Sequence, residues 1–158
     1  MCDGFYLKTM IKDDNYFMNL ALNEAKKAYQ HDEVPIGCVL VDENGRVIAR
    51  AYNRKEELED ISAHAEILAL RKAAKKRANW RLNNCSIYIT LEPCLMCASA
   101  ILQSRIKRVV FAAKEENSGA FGTHIDILSI EKSPVFVVGG IKEKEAKELI
   151  QKFFKEKR

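Results

Sequence analysis

The chain has 158 residues, of which 47% are hydrophobic, with three prolines and seven glycines. That composition suits one globular domain over residues 1–158, with a filled core and no linker or low-complexity segment. No apolar run approaches the roughly 18 residues a membrane span needs, and Met1-Cys2-Asp3-Gly4 lacks a basic, apolar leader, so a cytoplasmic protein is expected. The formal net charge of +4 permits an anionic partner without requiring one.

Helical spacing runs from Asp14 to about Gln30, where Phe17, Leu20, Ala21, Ala25, Ala28 and Tyr29 share a face and Lys26 and Lys27 are left to solvent. Ile36 to Val41 and Val47 to Tyr52 read as antiparallel strands around an Asn44-Gly45 turn. Ser62 is then a candidate cap for a helix that contains His64 and Glu66 and continues toward Arg77. The β-branched and apolar run Ser86 to Leu91 stops before Glu92-Pro93, and helical spacing resumes from Leu95 to Ile101. Arg108 to Ala113 and Val135 to Val138 give two more strands, separated by a loop with Gly119 and Gly122. The strand, helix, strand order here implies parallel pairing. A last helix, about Lys142 to Lys155, carries Ala146, Leu149, Ile150, Phe153 and Phe154 on one face and should pack on the sheet.

Two short runs carry the chemistry: His64-Ala65-Glu66 and Pro93-Cys94-Leu95-Met96-Cys97. Together they offer one imidazole, two thiols and one carboxylate, which suits a catalytic zinc with three protein ligands and an open fourth position where water is acidified. Both runs fall at predicted helix starts beside the sheet. There, unpaired N–H groups and partial positive charge favour thiolate over thiol. An isolated His64 would read as a hydrogen-bonded core histidine, and an isolated Glu66 as surface charge. Their company changes that reading, and one zinc per chain is expected. His31 and His124 sit in predicted connections with no second ligand beside them and read as surface residues. Cys38 and Cys85 read as small buried hydrophobes, and Cys2 as a residue without a role.

On residues alone, two readings from other classes stay open. Cys-x-x-Cys opening a helix after a strand is also the thioredoxin-like position, although His64 and Glu66 would then have no role. A zinc-stabilised RNA-binding module would need a fourth protein ligand and no spare carboxylate.

The paired runs match the signature of the zinc nucleobase deaminases, and the likeness extends further. Glu33-Val34-Pro35-Ile36-Gly37, Tyr52-Asn53-Arg54, Ala63-His64-Ala65-Glu66, Thr90 to Cys97, Ser104-Arg105-Ile106, Val109-Val110-Phe111, Gly119-Ala120 and Phe153-Phe154 are all similar to blocks of one family. From about Tyr16 onward the chain resembles the cytidine/deoxycytidylate deaminase superfamily and, more closely, the bacterial tRNA-specific adenosine deaminases. The resemblance implies an α/β fold, a mixed sheet of about five strands flanked by helices in three layers. It further implies a homodimer and conversion of adenosine to inosine at the wobble position of a tRNA anticodon arm. Carried over residue by residue, it makes His64, Cys94 and Cys97 zinc ligands, Glu66 the proton shuttle, and Asn53 and Ala65 contacts to the bound base. Without it, Asn53 reads as a turn residue closing the second strand. Deaminases of a free nucleobase or nucleoside, of the guanine or cytosine type, share the zinc signature and remain the alternative. Lys152, Lys155, Lys157 and Arg158 are candidate contacts to RNA phosphates. In one stretch, Lys114-Glu115-Glu116-Asn117, the chain departs from the family's usual aspartate and following lysine. Glu115 keeps the charge on a longer side chain, and Asn117 loses a cation.

Overall fold

A computed structural model describes residues 12–157. Helix α1, Asp14–Gln30, starts where the Asp13 side chain accepts from Tyr16 N at 2.9 Å, and it buries Phe17, Met18, Ala21, Leu22, Ala25 and Ala28. Of the predicted stripe, Phe17, Ala21, Ala25 and Ala28 are buried and Leu20 and Tyr29 half-buried, while Met18 and Leu22 join the buried face. Strands β1, Gly37–Val41, and β2, Val47–Tyr52, pair antiparallel. Gly45, at φ 77°, takes the left-handed position of their connecting loop, while Asp42 Oδ1 accepts from Asn44 N and Arg46 N at 2.9 Å each. A Cβ on Gly37 would lie 1.9 Å from Ala21 O, so α1 rests directly on the backbone of β1.

Helix α2 spans Ala65–Arg77, β3 Ser86–Leu91, α3 Leu95–Gln103, β4 Arg108–Ala113, α4 Ile127–Glu131, β5 Phe136–Val138 and α5 Glu143–Glu156. The strands form one sheet in the order β2-β1-β3-β4-β5, antiparallel through β1 and parallel from β3 to β5. Helices α2 and α3 cover one face, packing Ala65, Ala69, Leu70, Ala73 and Ile101 on Cys38, Leu40, Ile87, Ile89 and Val109. On the opposite face Phe17, Met18, Ala21 and Ala146, from α1 and α5, pack against Val39, Tyr88, Val110 and Ala112. The result is the expected three-layer α/β arrangement. Among the described residues no helix is long and apolar enough to cross a membrane.

The local differences from the sequence reading have physical causes. Ser62 does not cap α2. Its N–H and hydroxyl both donate to Asp60 Oδ1, at 2.8 and 2.7 Å, and His64 itself takes the cap position with extended backbone. The loop after β4 contains the unpredicted α4, capped by Asp126 accepting from Leu128 N at 3.1 Å. Cys38 and Cys85 are fully buried, as expected, and Cys2 lies outside the described residues.

Candidate functional site

Residue types at one edge of the sheet bring the two motif runs together. Thr90 Oγ1, near the end of β3, accepts from Gly37 N at the start of β1, and Gly37 pairs with Tyr52 at the end of β2. Helices α2 and α3 both begin at this edge, with His64 and Cys94 as their cap residues. Neither makes the usual capping hydrogen bond to its helix, and imidazole and thiol face each other. His64 Nδ1 lies 3.8 Å from Cys94 Sγ and 3.4 Å from Cys97 Sγ. Two ligands on a tetrahedral zinc, with bonds of about 2.3 Å to sulfur and 2.05 Å to nitrogen, stand about 3.6 Å apart. The observed distances bracket that value. Sequence could not say which imidazole nitrogen faces the sulfurs.

Electrostatics at the helix starts are those of a metal donor set. The Cys97 thiol hydrogen-bonds to Cys94, and His64 and the α3 backbone add to it, pulling Cys94 down to about 4. Cys97 is pushed up by that same bond and by burial. The bond to Cys94 holds the His64 imidazole above its ordinary value. Glu66, in the first turn of α2, is 4% exposed and raised by burial, and its Oε1 has no hydrogen-bond partner. A buried carboxylate oxygen with no partner is costly. Here it borders the cavity that His64 and Cys94 line. The donor chemistry, the spacing and this orphaned oxygen all fit a zinc ion with an adjacent water.

That cavity is about 240 Å³, below the roughly 300–1,000 Å³ of sites for drug-sized ligands. His64, Glu66 and Cys94 line it together with Val34, Ile36, Asn53 and Lys55, and Leu91, Glu92, Glu115, Ser118, Ile150 and Phe154 complete the wall. Asn53 is 6% exposed and its amide nitrogen donates to Val34 O at 3.4 Å, so the residue that could have been a simple turn lines the cavity instead. Ala65 is fully buried in the α2–sheet core, between the cavity-lining His64 and Glu66.

Two buried carboxylates, neither assigned a role from sequence, hold the loops around this cavity. Glu33 accepts from Glu56 N at 2.8 Å and Glu57 N at 3.1 Å, pinning the loop that carries Lys55. Glu92 accepts from Glu115 N at 3.3 Å, Phe121 N at 3.0 Å, Thr123 N at 3.2 Å and Thr123 Oγ1 at 2.5 Å, pinning the loop that carries Glu115 and Ser118. Gly119 lies against that clamp: a Cβ there would sit 2.6 Å from both Glu92 Cδ and Glu115 O. In the atypical stretch, the Glu115 carboxylate accepts from Asn117 N at 2.9 Å and so is partly used in shaping its own loop.

The last helix contributes differently from the sequence reading. Phe153 packs inward, its ring 6.0 Å from that of Tyr29, whereas Phe154 is 48% exposed and lines the cavity with Ile150. Phe154 is therefore a wall residue and not part of a packing anchor. Lys157 pairs with Asp32 and lies over the Phe153 ring, at a groove that continues from the cavity past Asn53 and Lys55. Lys152 lies over the Tyr29 ring, next to α1 in a cleft that does not open on the cavity. Lys155 is exposed, and Arg158 lies outside the described residues. His31 and His124 are exposed, as expected for surface residues.

A mixed five-stranded sheet with these paired helix starts and this donor set defines a zinc-dependent deaminase. The model of the cytidine and deoxycytidylate deaminase zinc-binding region matches residues 11–113. The tRNA-specific adenosine deaminase of Bacillus subtilis (strain 168) is 44% identical over 147 residues, covering 92% of this chain and 91% of the relative. That of Agrobacterium fabrum is 45% identical over 146 residues, covering 90% and 95%. A solved structure from work on A-to-I editing by tRNA:A34 deaminases at the wobble position superposes with a TM-score of 0.78 at 43% identity, covering 85% of this chain and 98% of that one. The guanine deaminase of Nitrosomonas europaea has the same fold, with a TM-score of 0.80 at 22% identity over 97% of this chain and 93% of that one. The chain belongs to the tRNA-specific adenosine deaminases of the zinc-binding cytidine and deoxycytidylate deaminase family. That membership sets aside the thioredoxin-like and non-enzymatic readings.

Proposed function

We propose that this protein hydrolyses the wobble adenosine of a tRNA anticodon arm to inosine and ammonia, as a single-domain cytoplasmic enzyme acting as a homodimer. The observation that carries the chemistry is the unpartnered Oε1 of Glu66, which lines the cavity with His64 and Cys94 beside the donor cluster of His64, Cys94 and Cys97. The substrate rests on the relatives, whose identity extends over nine-tenths of the chain. His64 Nδ1 and the Cys94 and Cys97 sulfurs would hold the zinc. When bound, zinc supplies Lewis-acid chemistry that brings the pKa of water toward neutrality. Glu66 takes one proton from the attacking water and delivers it to the ring nitrogen, then takes the remaining hydroxyl proton and delivers it to the amine, which departs as ammonia while the carbonyl forms, work suited to a carboxylate whose pKa burial has raised. Asn53 orients the base, while Val34, Ile150 and Phe154 exclude water from around it. The exposed Leu95 and Met96 on the first turn of α3 supply apolar surface for a second copy, and the C-terminal lysines 155 and 157 flank the entering strand.

The deciding experiment offers the zinc-loaded protein an anticodon stem-loop with adenosine at the wobble position, alongside free adenine, guanine and cytosine. Inosine in the RNA should form fastest. Faster ammonia release from any free base would replace the proposal with a free-base deaminase.

A further inference from the structure

The chain's charge is unevenly placed. Residues 67–114 hold ten Lys and Arg and a single acid, Glu92, which is buried in the loop clamp; the remaining residues hold 16 basic and 21 acidic side chains. The whole positive surplus therefore comes from one stretch, which contains β3, α3, β4 and all of α2 beyond Ala65 and Glu66. By contrast α5 carries four lysines and four glutamates, and the tail adds Lys157 and Arg158. Within the positive stretch, the chain's one tryptophan, Trp80, is 53% exposed. The Arg81 guanidinium lies 4.4 Å from its ring centroid and that of Arg105 5.8 Å. Trp80 and Arg105 share the wall of a surface hollow of about 630 Å³, and Lys75, Lys76 and Lys107 are exposed nearby in sequence. No carboxylate pairs with Arg81 or Arg105 among the described residues, although Arg71, Arg77 and Arg108 each have one.

An exposed cation–aromatic stack adds little to folding. It does hold two guanidinium forks in place before any ligand arrives, and a planar fork loses less freedom per phosphate hydrogen bond than a free lysine does. Guanidinium planes and indoles also stack on unpaired bases. The patch lies just past the C-terminal ends of α2 and α3, whose N-terminal ends form the cavity. At about 1.5 Å per residue these helices place it roughly 14–20 Å from the reacting site. A ligand that meets both must be an extended polyanion. We infer that Trp80, Arg81 and Arg105 form a second RNA-binding site, which grips the phosphate backbone of the substrate RNA away from the base in the cavity. This inference rests on the RNA-deaminase reading above.

The test compares the zinc-loaded parent with Arg81→Gln/Arg105→Gln in binding and turnover of an anticodon stem-loop at several salt concentrations. Each phosphate contact contributes about 0.7–0.9 to the log–log salt slope, so the slope should fall by roughly 1.4–1.8 units and Kd at 0.1 M salt should rise about tenfold. KM should follow Kd, and a loop-only oligonucleotide should lose several-fold less. Arg81→Lys/Arg105→Lys, which keeps charge and removes the fork, should restore the slope but only part of the affinity. Should the Gln variant fail to fold, Lys75→Gln/Lys76→Gln on the exposed end of α2 tests the same patch, with a smaller slope change expected. Unchanged affinity and slope in a variant whose parent deaminates the RNA would overturn the inference while leaving the proposed function standing, and would assign the patch to another partner such as an acidic protein. A parent that acts only on free bases would instead remove the proposed function, and the slope of RNA binding would still decide the second site.

Discussion

Replacing Glu66 with glutamine separates catalysis from folding more sharply than any other change at the site. The carboxylate is 4% exposed and its Oε1 has no partner, so the native fold carries the desolvation cost of that atom, about 1–3 kcal/mol. Glutamine keeps the volume and removes the charge. Stability should stay level or rise by about 1 kcal/mol, which for a domain of this size is about 2–4 °C in Tm. Turnover should fall by a factor of roughly 10²–10⁴, or about 2.7–5.4 kcal/mol of barrier. Single-turnover inosine formation on the stem-loop gives the rate, circular dichroism the Tm, and metal analysis the zinc content, which should be unchanged. A variant that deaminates within a few-fold of the parent, or that loses more than about 5 °C, would make Glu66 a structural group and refute the proton-transfer role.

Cys97→Ala should lose most of its zinc by metal analysis; full retention would move the ligand set to other donors. Gly119→Ala forces a methyl group to within 2.6 Å of Glu92 and Glu115 O, so the clamped loop must shift. We expect about 1–3 kcal/mol of destabilisation in urea titrations and a raised KM. Asp14 receives two bonds of 2.6 Å from Arg108 and one of 2.8 Å from the Tyr88 hydroxyl, and the Arg108 pairing holds its carboxyl below the usual range. A lowered folded pKa gives stability that is present above the unfolded value near 3.9 and is lost as pH falls through the folded one. Both partners are more than a quarter exposed, so Asp14→Asn should cost only about 1 kcal/mol at pH 7. The difference between parent and variant in urea midpoint should shrink below about pH 4; a constant difference would remove the charge from the account.

Strands β3 and β4 are legible to the residue because each is an unbroken β-branched or apolar run with polar residues at its start, and burial on both faces demands such runs. The donor set is legible because its residues fall in two short runs, each close to a helix start. Ser62 misleads as a cap because its preferred partner, Asp60, lies two residues away and wins the local competition. The five residues of α4 are too few for any periodicity to register, and Asp126 is its one local signal. Phe154 shares an apolar stripe with Phe153, and a stripe cannot say that one of its members faces a cavity and not a core. Glu92 and Glu33 are legible only as acids in apolar surroundings, since their partners lie 23–31 residues away.

Those two acids grip their loops almost wholly by main-chain N–H groups, which every residue but proline supplies. Gly119 and the Thr123 hydroxyl excepted, side chains along residues 55–57 and 116–123 can therefore be exchanged with little effect on where the backbone runs. The path of each loop is set by a carboxylate that lies outside it. A chain built this way can revise the residues it shows to a substrate one at a time, which is the kind of change that Glu115 and Asn117 represent. The cost falls on the acids themselves: Glu33 and Glu92 are far less replaceable than any residue they hold.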